Sequence, residues 1–470
     1  MKQIEPIALE LASRLNTLRL EDMSSKSKNI GVSLIADTIG AALLGTRDVP
    51  HQVLRTAMAG QLAPGNALVW GTRQRVGTLD AAMLNGFAAH AADYDDMAAS
   101  MAGGGHPSAP LVPVLFALGA ELGATGNNVL EAYLVGFEAE CRIGRIVHWP
   151  HYEKGWHPTS TLGVFGAAVS AARLMKLDVP QTAAAISICA SLASGVKANF
   201  GTMTKPLHVG QCARNGLFAA RLAAAGHTAN LSAIEHPQGF LAAFNGLDKA
   251  FPERLWDGWG EILEVERHAV GAKQFPCCGS THAAIRGAIQ LRKEGLNVRE
   301  IEEIKITVNR RRLPHTNNPN PQTGLAGKFS AQYVVARALS EGAVRIDDFD
   351  HFNLTPQVKD LMEKVRLDSF PPADLDDSGD EVNAWAATVE IRTLDGDLRS
   401  ASVPSMLGRG ATDPMSPAEQ WEKFSDCTRG VLTPMGSYQT FAHLQNLQSC
   451  DSVEDICLVL ENQSIEQISA

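Results

Sequence analysis

Alanine- and glycine-rich apolar segments occupy most of the first 267 residues, and they constrain the fold more than any other feature of this sequence. In Val32–Leu44, for example, apolar residues recur at helical spacing and the pattern ends before Gly45. The same pattern appears in Leu79–His90, Leu111–Leu122, Val129–Val147, Thr161–Met175, Gln181–Ser194, Gln211–Ala225 and Gly239–Phe244. Because small side chains let helices approach closely, these segments predict a large, tightly packed helical domain.

The pattern changes after residue 267. Ile301–Val308 alternates in its second half, while Ala386–Thr393 and Leu398–Val403 flank Asp395-Gly396, a hairpin signal. Helical stretches lie between these strands, at Thr281–Lys293, Ala331–Leu339 and Thr355–Val365. A helical pattern returns from Ser416 onward. The predicted fold class is therefore mainly α, with a large all-helical domain of residues 1–267 and 405–470, built from both chain ends, and a smaller inserted α+β domain of residues 268–404.

Composition excludes several classes of function. A chain of 470 residues exceeds the size at which one hydrophobic core keeps growing, so more than one domain is expected. The formal net charge is -10 and no long basic block occurs, so we expect no nucleic-acid partner. No apolar run reaches the roughly 18 residues of a membrane span and no signal-peptide pattern opens the chain, so we expect a cytoplasmic protein with no membrane partner. The eight cysteines form no Cys-x-x-Cys pair, which gives no support for a zinc site.

The stretch Phe200–Gly216 places a single lysine, Lys205, between two alanine-rich helical segments. Pro206 is expected to hold Lys205 in an extended conformation and to begin a helix whose N-terminal amides favour anions. An ammonium group at that place is a candidate receptor for a carboxylate, and His208 is a candidate substrate contact three residues later. The alternative is a surface lysine in a loop between helices.

Two further motifs place histidines at predicted helix starts or ends. His90–Asp96 carries three carboxylates at a helix end and leads to His106, which precedes a proline. Clustered carboxylates are costly to bury, so the alternative is a solvated acidic loop. In the second motif, His157 also precedes a proline, and the following Thr159 and Ser160 are expected to cap the helix from Thr161. Its alternative is a capped surface helix with an incidental histidine.

The fourth motif begins at Lys273 and contains the adjacent thiols Cys277 and Cys278. A vicinal disulfide is strained, so at most one thiol is expected to face a cleft, where a nearby lysine would favour its thiolate. The alternative is two buried structural thiols. Taken together, the motifs supply cations and proton-transfer groups without metal-ligand spacing, a phosphate loop or a Ser-His-Asp signal. This set indicates cofactor-free proton chemistry on a small polyanion.

These motifs resemble the MmgE/PrpD superfamily. The matching stretches are Asp93-Tyr-Asp-Asp with His106-Pro-Ser, Gly155-Trp-His-Pro-Thr-Ser, Thr204-Lys-Pro-Leu-His with Ala213-Arg-Asn-Gly, and Lys273-x-Phe-Pro. The superfamily contains 2-methylcitrate dehydratases, cis-aconitate decarboxylase and iminodisuccinate epimerase. The resemblance implies a homodimer, an inserted lid domain and a metal-free site between the two domains.

The decarboxylase site residues would fall here on Asp93, His106, His157, Lys205 and Lys273. Three positions differ from the decarboxylase, because Met97 stands where it has a threonine, Cys278 where it has a histidine, and His315 where it has a tyrosine. Three features are more similar to the epimerase than to the decarboxylase. They are the run at residues 155–166, the run at residues 199–206 and the cysteine that follows Lys-x-x-Pro in the predicted lid.

The resulting hypothesis is a cofactor-independent lyase that abstracts a proton next to a carboxylate of a small di- or tricarboxylic acid, in the manner of the dehydratase or the decarboxylase. Lys205 and Lys273 would neutralise negative charge, and His157 would act as general base or acid. Asp93 and His106 would orient or relay protons, Cys278 would be a second proton carrier, and His208 and His315 would bind substrate. The alternatives are a two-base epimerase of iminodisuccinate or a similar dicarboxylate, and a helical dimer without enzymatic activity.

Overall fold

The computed structural model describes residues 6–99, 101, 104–267, 270–375, 381–404 and 408–465. It contains 58% helix and 10% strand, which confirms the prediction of a mainly helical chain. The chain divides into two compact units, Met1–Ala272 with Gly410–Ala470, and Lys273–Arg409. The lid function assigned to the inserted segment stays a prediction.

The first unit contains the longest helices among the described residues. Its helices are α1 (Ile7–Thr17), α2 (Ser25–Gly45), α3 (Val49–Met58), α4 (Thr78–Ala91), α5 (Ser108–Leu122), α6 (Gly126–Glu153, kinked at His148), α7 (Pro158–Thr161), α8 (Gly163–Leu174), α9 (Val179–Leu192), α10 (Thr204–Ala224), α11 (Phe240–Phe244), α18 (Pro417–Thr428), α19 (Pro434–Gln445) and α20 (Val453–Gln463). One buried apolar core connects α1 to α20. Among the described residues, no single helix is both long and apolar enough to cross a membrane, and α2 with α3 passes that test only as a pair bent by 78°.

The helices α4, α5, α8 and α10 form the centre of this unit, with α6 packed on α8 and α2 packed on α4. Helix α18, from the last part of the chain, packs on α2, and α20 packs on α5. The segment after residue 409 therefore belongs to the same core as α2 and α5.

The first unit is not entirely helical, which corrects the prediction of an all-helical domain. Strands β1 (Ala67–Leu68) and β2 (Arg75–Val76) form an antiparallel pair. Strands β3 (Met97–Ala98) and β4 (Val270–Ala272) also pair antiparallel, and β9 (Arg409–Gly410), of which Gly410 belongs to this unit, completes their sheet. These strands are two or three residues long, and so short a run carries no detectable alternation in a sequence.

The second unit is built on a four-stranded sheet in the order β6-β5-β7-β8. The predicted strands are confirmed as β5 (Ile301–Val308), β7 (Ala387–Thr393) and β8 (Leu398–Val403), which pair antiparallel, and β6 (Val365–Ser369) adds a parallel edge. Its helices are α12 (His282–Lys293), α13 (Leu313–Thr316), α14 (Gly324–Gly327), α15 (Ala331–Glu341), α16 (Asp347–Asp350) and α17 (Pro356–Glu363). Helix α12 packs on β7 and β8, so the unit has its own apolar core.

Candidate active site

The close approach of α4 and α10 positions the centre of the candidate site. A Cβ atom added at Gly210 of α10 would lie 2.5 Å from the carbonyl oxygen of Met83, and Gly86 faces the same crossing from α4. Only glycine fits between two backbones at this distance. The crossing places the first turn of α10 beside the C-terminal end of α4, where Lys205 meets Asp93.

Lys205 lies in the first turn of α10, which begins at Thr204. The prediction that Pro206 holds Lys205 in an extended conformation is therefore wrong. The first N–H groups of a helix have no intrahelical partner, so a proline in this turn removes no hydrogen bond.

Lys205 and Asp93 form a buried ion pair. Lys205 Nζ donates to Asp93 Oδ1 at 2.7 Å, and the two residues are only 6% and 3% exposed. Asp93 follows the end of α4 with φ at 55°, a left-handed conformation that glycine or asparagine usually adopts after a helix. This conformation is costly for aspartate, and the ion pair provides an interaction that glycine could not make.

Asp95 contacts two histidines with one oxygen. His90 Nδ1 donates to Asp95 Oδ2 at 2.8 Å, and His106 Nδ1 lies 3.1 Å from the same oxygen. Burial alone would raise the pKa of the Asp95 carboxyl, but the neighbouring His106 and His90 rings lower it well below its ordinary value. Burial lowers the pKa of His90 to about 3 against the opposing effect of Asp95, so His90 is neutral at neutral pH.

His157 is the N-cap of α7, and Thr159 and Ser160 lie inside this helical turn. The prediction that these two residues cap a helix starting at Thr161 is wrong, because their hydroxyls bind other segments. The backbone N–H of His106 donates to Thr159 Oγ1 at 3.1 Å, and Ser160 Oγ donates to the carbonyl of His208 at 3.0 Å. The turn therefore fixes the backbone of two neighbouring site histidines.

The imidazoles of His157 and His208 meet through their Nδ1 atoms, 3.1 Å apart. The edge of His157 also packs against Phe200, with ring centroids 4.9 Å apart, and the His90 ring lies 5.5 Å away. Burial, followed by the positive charges of its neighbours, lowers the pKa of His157 well below its ordinary value. Burial and the charge of Lys205 also lower the pKa of His208, which is half-buried.

Asp96 is fully buried, and its carboxyl group contacts Ser108, which in turn contacts Tyr133. Ser108 contacts both carboxyl oxygens, at 3.2 Å from its N–H and 2.6 Å from its Oγ, and Ser108 Oγ also lies 2.6 Å from the Tyr133 hydroxyl. Burial raises the pKa of Asp96 to about 8, so this carboxyl is protonated at neutral pH. The alternative of a solvated acidic loop is wrong, because Asp93, Asp95 and Asp96 are all buried.

Lys423 of α18 contacts the acidic segment, which is the stretch that carries Asp93, Asp95 and Asp96. Its Nζ atom donates to the backbone carbonyl of Tyr94 at 2.8 Å, pairs with Asp37 Oδ1 at 2.6 Å, and lies 3.9 Å from the centre of the Tyr94 ring. The segment that carries Asp93, Asp95 and Asp96 is thereby tied to both α2 and α18.

Four side chains of the site offer the kinds of ligand atom that bind a metal cation. His90, Asp93, Asp95 and His106 each bring one nitrogen or oxygen within 4.8 Å of the others. Histidine and carboxylate groups at such distances bind divalent cations. Here the Lys205 ammonium contacts Asp93, so the protein supplies a cation of its own.

Comparison with known proteins identifies the family. Residues 9–251 match the MmgE/PrpD N-terminal domain, and residues 275–441 match the MmgE/PrpD C-terminal domain. The chain belongs to the MmgE/PrpD family. The resemblance stated from the sequence motifs is therefore confirmed.

Three relatives of this MmgE/PrpD chain match between 78% and 99% of its length. It is 27% identical to the cis-aconitate decarboxylase of Homo sapiens, across 99% of this chain and 97% of the relative. It is 28% identical to the cis-aconitate decarboxylase of Aspergillus terreus, across 86% and 85% of the two chains, and 28% identical to that of Mus musculus, across 78% and 77%.

The first unit of this MmgE/PrpD chain brings together five of the predicted site residues, namely Asp93, His106, His157, Lys205 and His208. The other three belong to the second unit. Lys273 is buried, Cys278 accepts a hydrogen bond at its carbonyl from Thr281 Oγ1 at 2.7 Å, and His315 Nε2 lies 3.0 Å from Ser280 Oγ. Their roles, and the role of Met97 in β3, stay predictions.

His90, Asp95, Asp96 and Lys423 were not among the site residues predicted from sequence, although the first three lie in one of the predicted motifs. His90 and Asp95 lie inside the acidic motif, and their spacing of five residues around a helix end gave no sign that they would bond. Lys423 is far from every motif in the chain, and a lone lysine on a helix carries no local signal of burial.

The protonated state of Asp96 makes stability depend on pH. The folded protein holds this proton up to about pH 8, whereas the unfolded chain releases it near pH 3.8, so the free energy of unfolding falls as pH rises through this window. We expect Asp96→Asn to lack this decrease and to be at least as stable as the wild type at pH 8, by urea denaturation.

Asp96→Ala is the matched variant. It leaves Ser108 and Tyr133 without their partner, so we expect a loss of about 1–3 kcal/mol at pH 7. Equal pH dependence in Asp96→Asn and the wild type would contradict a protonated Asp96.

Lys423 is expected to stabilise the fold through its buried ion pair. Removing one partner of such a pair leaves an uncompensated charge, so Lys423→Met should lower the free energy of unfolding by about 3–5 kcal/mol. Lys423→Met with Asp37→Asn should recover much of this loss. Exposed Lys249 provides the control, since Lys249→Met should change stability by less than about 0.5 kcal/mol. A Lys423→Met protein as stable as this control would show that the pair contributes nothing.

Proposed function

We propose that this MmgE/PrpD enzyme is a lyase that decarboxylates a small tricarboxylate of the cis-aconitate type. The observation that carries the proposal is a buried lysine, Lys205, next to the neutral histidines His157 and His90. A relative that is named cis-aconitate decarboxylase matches this chain across 97% of its own length.

The first requirement of such a reaction is a cation beside the carbon that gains negative charge. The leaving carboxylate of such a substrate is attached to a carbon next to the carbon-carbon double bond. When it leaves as carbon dioxide, the electron pair of the broken bond forms a new double bond, and the pair of the old double bond moves to the far carbon as a carbanion that another carboxylate can delocalise. Lys205 supplies a fixed ammonium for this charge, and Asp93 holds the ammonium in place at 2.7 Å. A preorganised charge in a water-poor site is usually the largest catalytic contribution.

The second requirement is a proton donor for the carbanion. We assign this role to His157, because its ring is buried near Lys205 and its Nδ1 atom is held by His208. Nε2 is then the atom that reaches the substrate. Protonation of carbon by Nε2–H completes the reaction with one carbon-carbon bond broken and one carbon-hydrogen bond formed.

The remaining residues orient these two groups. Asp95 fixes the rings of His90 and His106 by accepting from or contacting their Nδ1 atoms, and Asp96 is neutral and adds no further negative charge near the substrate. A neutral Asp96 favours binding of a polyanion, because each additional buried carboxylate would repel it.

Proton NMR in deuterated water tests the reaction. We expect the purified protein to convert cis-aconitate to a product that lacks one carboxylate and carries one deuterium at carbon, while citrate and 2-methylcitrate stay unchanged. Loss of water from 2-methylcitrate would instead identify a dehydratase. Deuterium entering an iminodisuccinate isomer without net loss would identify an epimerase.

Lys205→Met is the variant for this assay, with Lys249→Met as the exposed-lysine control. We expect turnover to fall at least about 100-fold in Lys205→Met, because the charge that stabilises the carbanion is gone. Thermal unfolding establishes that the variant is folded, and Lys205→Arg, which keeps the charge, serves if it is not. A folded Lys205→Met protein with wild-type turnover would refute the role of this lysine.

Chelation tests whether the cation of the site is the lysine. If Lys205 neutralises the cluster of His90, Asp93, Asp95 and His106, dialysis against EDTA should leave turnover unchanged. A loss of turnover that zinc or magnesium restores would show that a metal ion binds there and that the cofactor-independent hypothesis is wrong.

A further inference from the structure

We propose that His208 conducts protons between solvent and His157, so that the two imidazoles form one proton path into the buried site. The proposal deepens the proposed function, on which it rests, and it gives His208 a role other than substrate binding.

The rings of His157 and His208 are joined by a hydrogen bond. Each ring presents Nδ1 to the other at 3.1 Å, so one Nδ1 carries the shared proton and the other accepts it. Because Nδ1 is occupied in both rings, Nε2 is the atom of each ring that is left to exchange a proton.

The two rings differ in their exposure to solvent. His157 is 2% exposed, whereas His208 is half-buried. A proton can therefore enter from solvent at Nε2 of His208 while bound substrate covers Nε2 of His157. The ring of His208 bridges the two environments.

Backbone hydrogen bonds hold His157 and His208 in place. The N–H of His157 donates to the carbonyl of Gly195 at 3.0 Å, and Ser160 Oγ donates to the carbonyl of His208 at 3.0 Å. Gly195 has φ at 115°, and a Cβ there would lie 3.2 Å from both His208 Cγ and Ser160 Cβ. Glycine is required at this position both for the conformation and for the space that the His208 ring occupies.

His208 replaces the proton that His157 gives to the substrate. His157 gives its Nε2 proton to the substrate carbon and takes the shared proton at Nδ1. His208 replaces that proton by taking one at Nε2 from water, which leaves a hydroxide ion in solvent. Both rings start and end neutral, with their tautomers exchanged, so no imidazolium has to form beside Lys205, His90 and His106. After product release, a water molecule in the emptied site gives a proton to Nε2 of His157. The Nδ1 proton then returns to His208, and Nε2 of His208 releases its proton to solvent, which restores both starting tautomers.

His208→Gln is the test variant, with the exposed His227→Gln as the control. Glutamine can keep a polar contact with His157 but cannot pass a proton. We expect kcat to fall about 100-fold with KM within twofold of the wild type, partial recovery on addition of imidazole, and a proton inventory that changes from two protons in motion to one. A raised KM with unchanged kcat would make His208 a substrate contact, and a loss without recovery by imidazole would make it structural. Either result overturns the proposal.

A second measurement does not depend on turnover. In protein labelled with nitrogen-15 at histidine, a shared proton produces a nitrogen-nitrogen coupling between His157 and His208 that disappears in His208→Gln. Absence of this coupling in the wild type overturns the path. If the coupling is present and no tricarboxylate is converted, the assigned reaction fails while the proton-sharing pair stands.

Discussion

The buried ion pair between Lys205 and Asp93 is the interaction on which the rest of the site depends. Two opposite charges can be removed from water only if each is close to the other and correctly oriented, and here that requires α4 and α10 to cross at backbone contact. Gly210 and Gly86 make the crossing possible, and Asp93, which has a left-handed conformation, accepts a hydrogen bond from the lysine. A larger side chain at the crossing would separate the helices and break the pair.

Different interactions set the protonation states of Asp95 and Asp96, the two other carboxyl groups of this segment. Asp95 stays ionised because two imidazoles contact it, whereas Asp96 holds a proton because burial outweighs its hydrogen bonds to Ser108. Neighbouring carboxyls in one segment thus have opposite protonation states. This separation is typical of sites where environment, not residue type, decides which group carries charge.

The sequence predicted the long helices and the sheet hairpin well, because their hydrophobic spacing and the Asp395-Gly396 turn are local signals. The sequence motifs also named Asp93, His106, His157, Lys205 and His208, which the fold brings together, while their roles stay predictions. An adjacent proline marked His106, His157 and Lys205. Prediction from the sequence failed where tertiary packing overrides local preference. The acidic segment was expected to be costly to bury, yet Lys423 and the two histidines, which are distant or irregularly spaced, supply the compensation. Likewise, nothing in the local spacing showed that Thr159 and Ser160 would bind other segments in place of capping a helix.

The contact of Lys423 with the Tyr94 carbonyl also has a consequence for biosynthesis. The residues of the acidic segment leave the ribosome early, but the lysine that ties their backbone lies on α18, which is made only after the second unit. Domains generally fold as units during synthesis, in order from the N-terminus. A nascent chain of this protein can therefore form much of its helical core while its acidic segment still lacks this support, and the site is completed only after α18 has emerged and packed on α2.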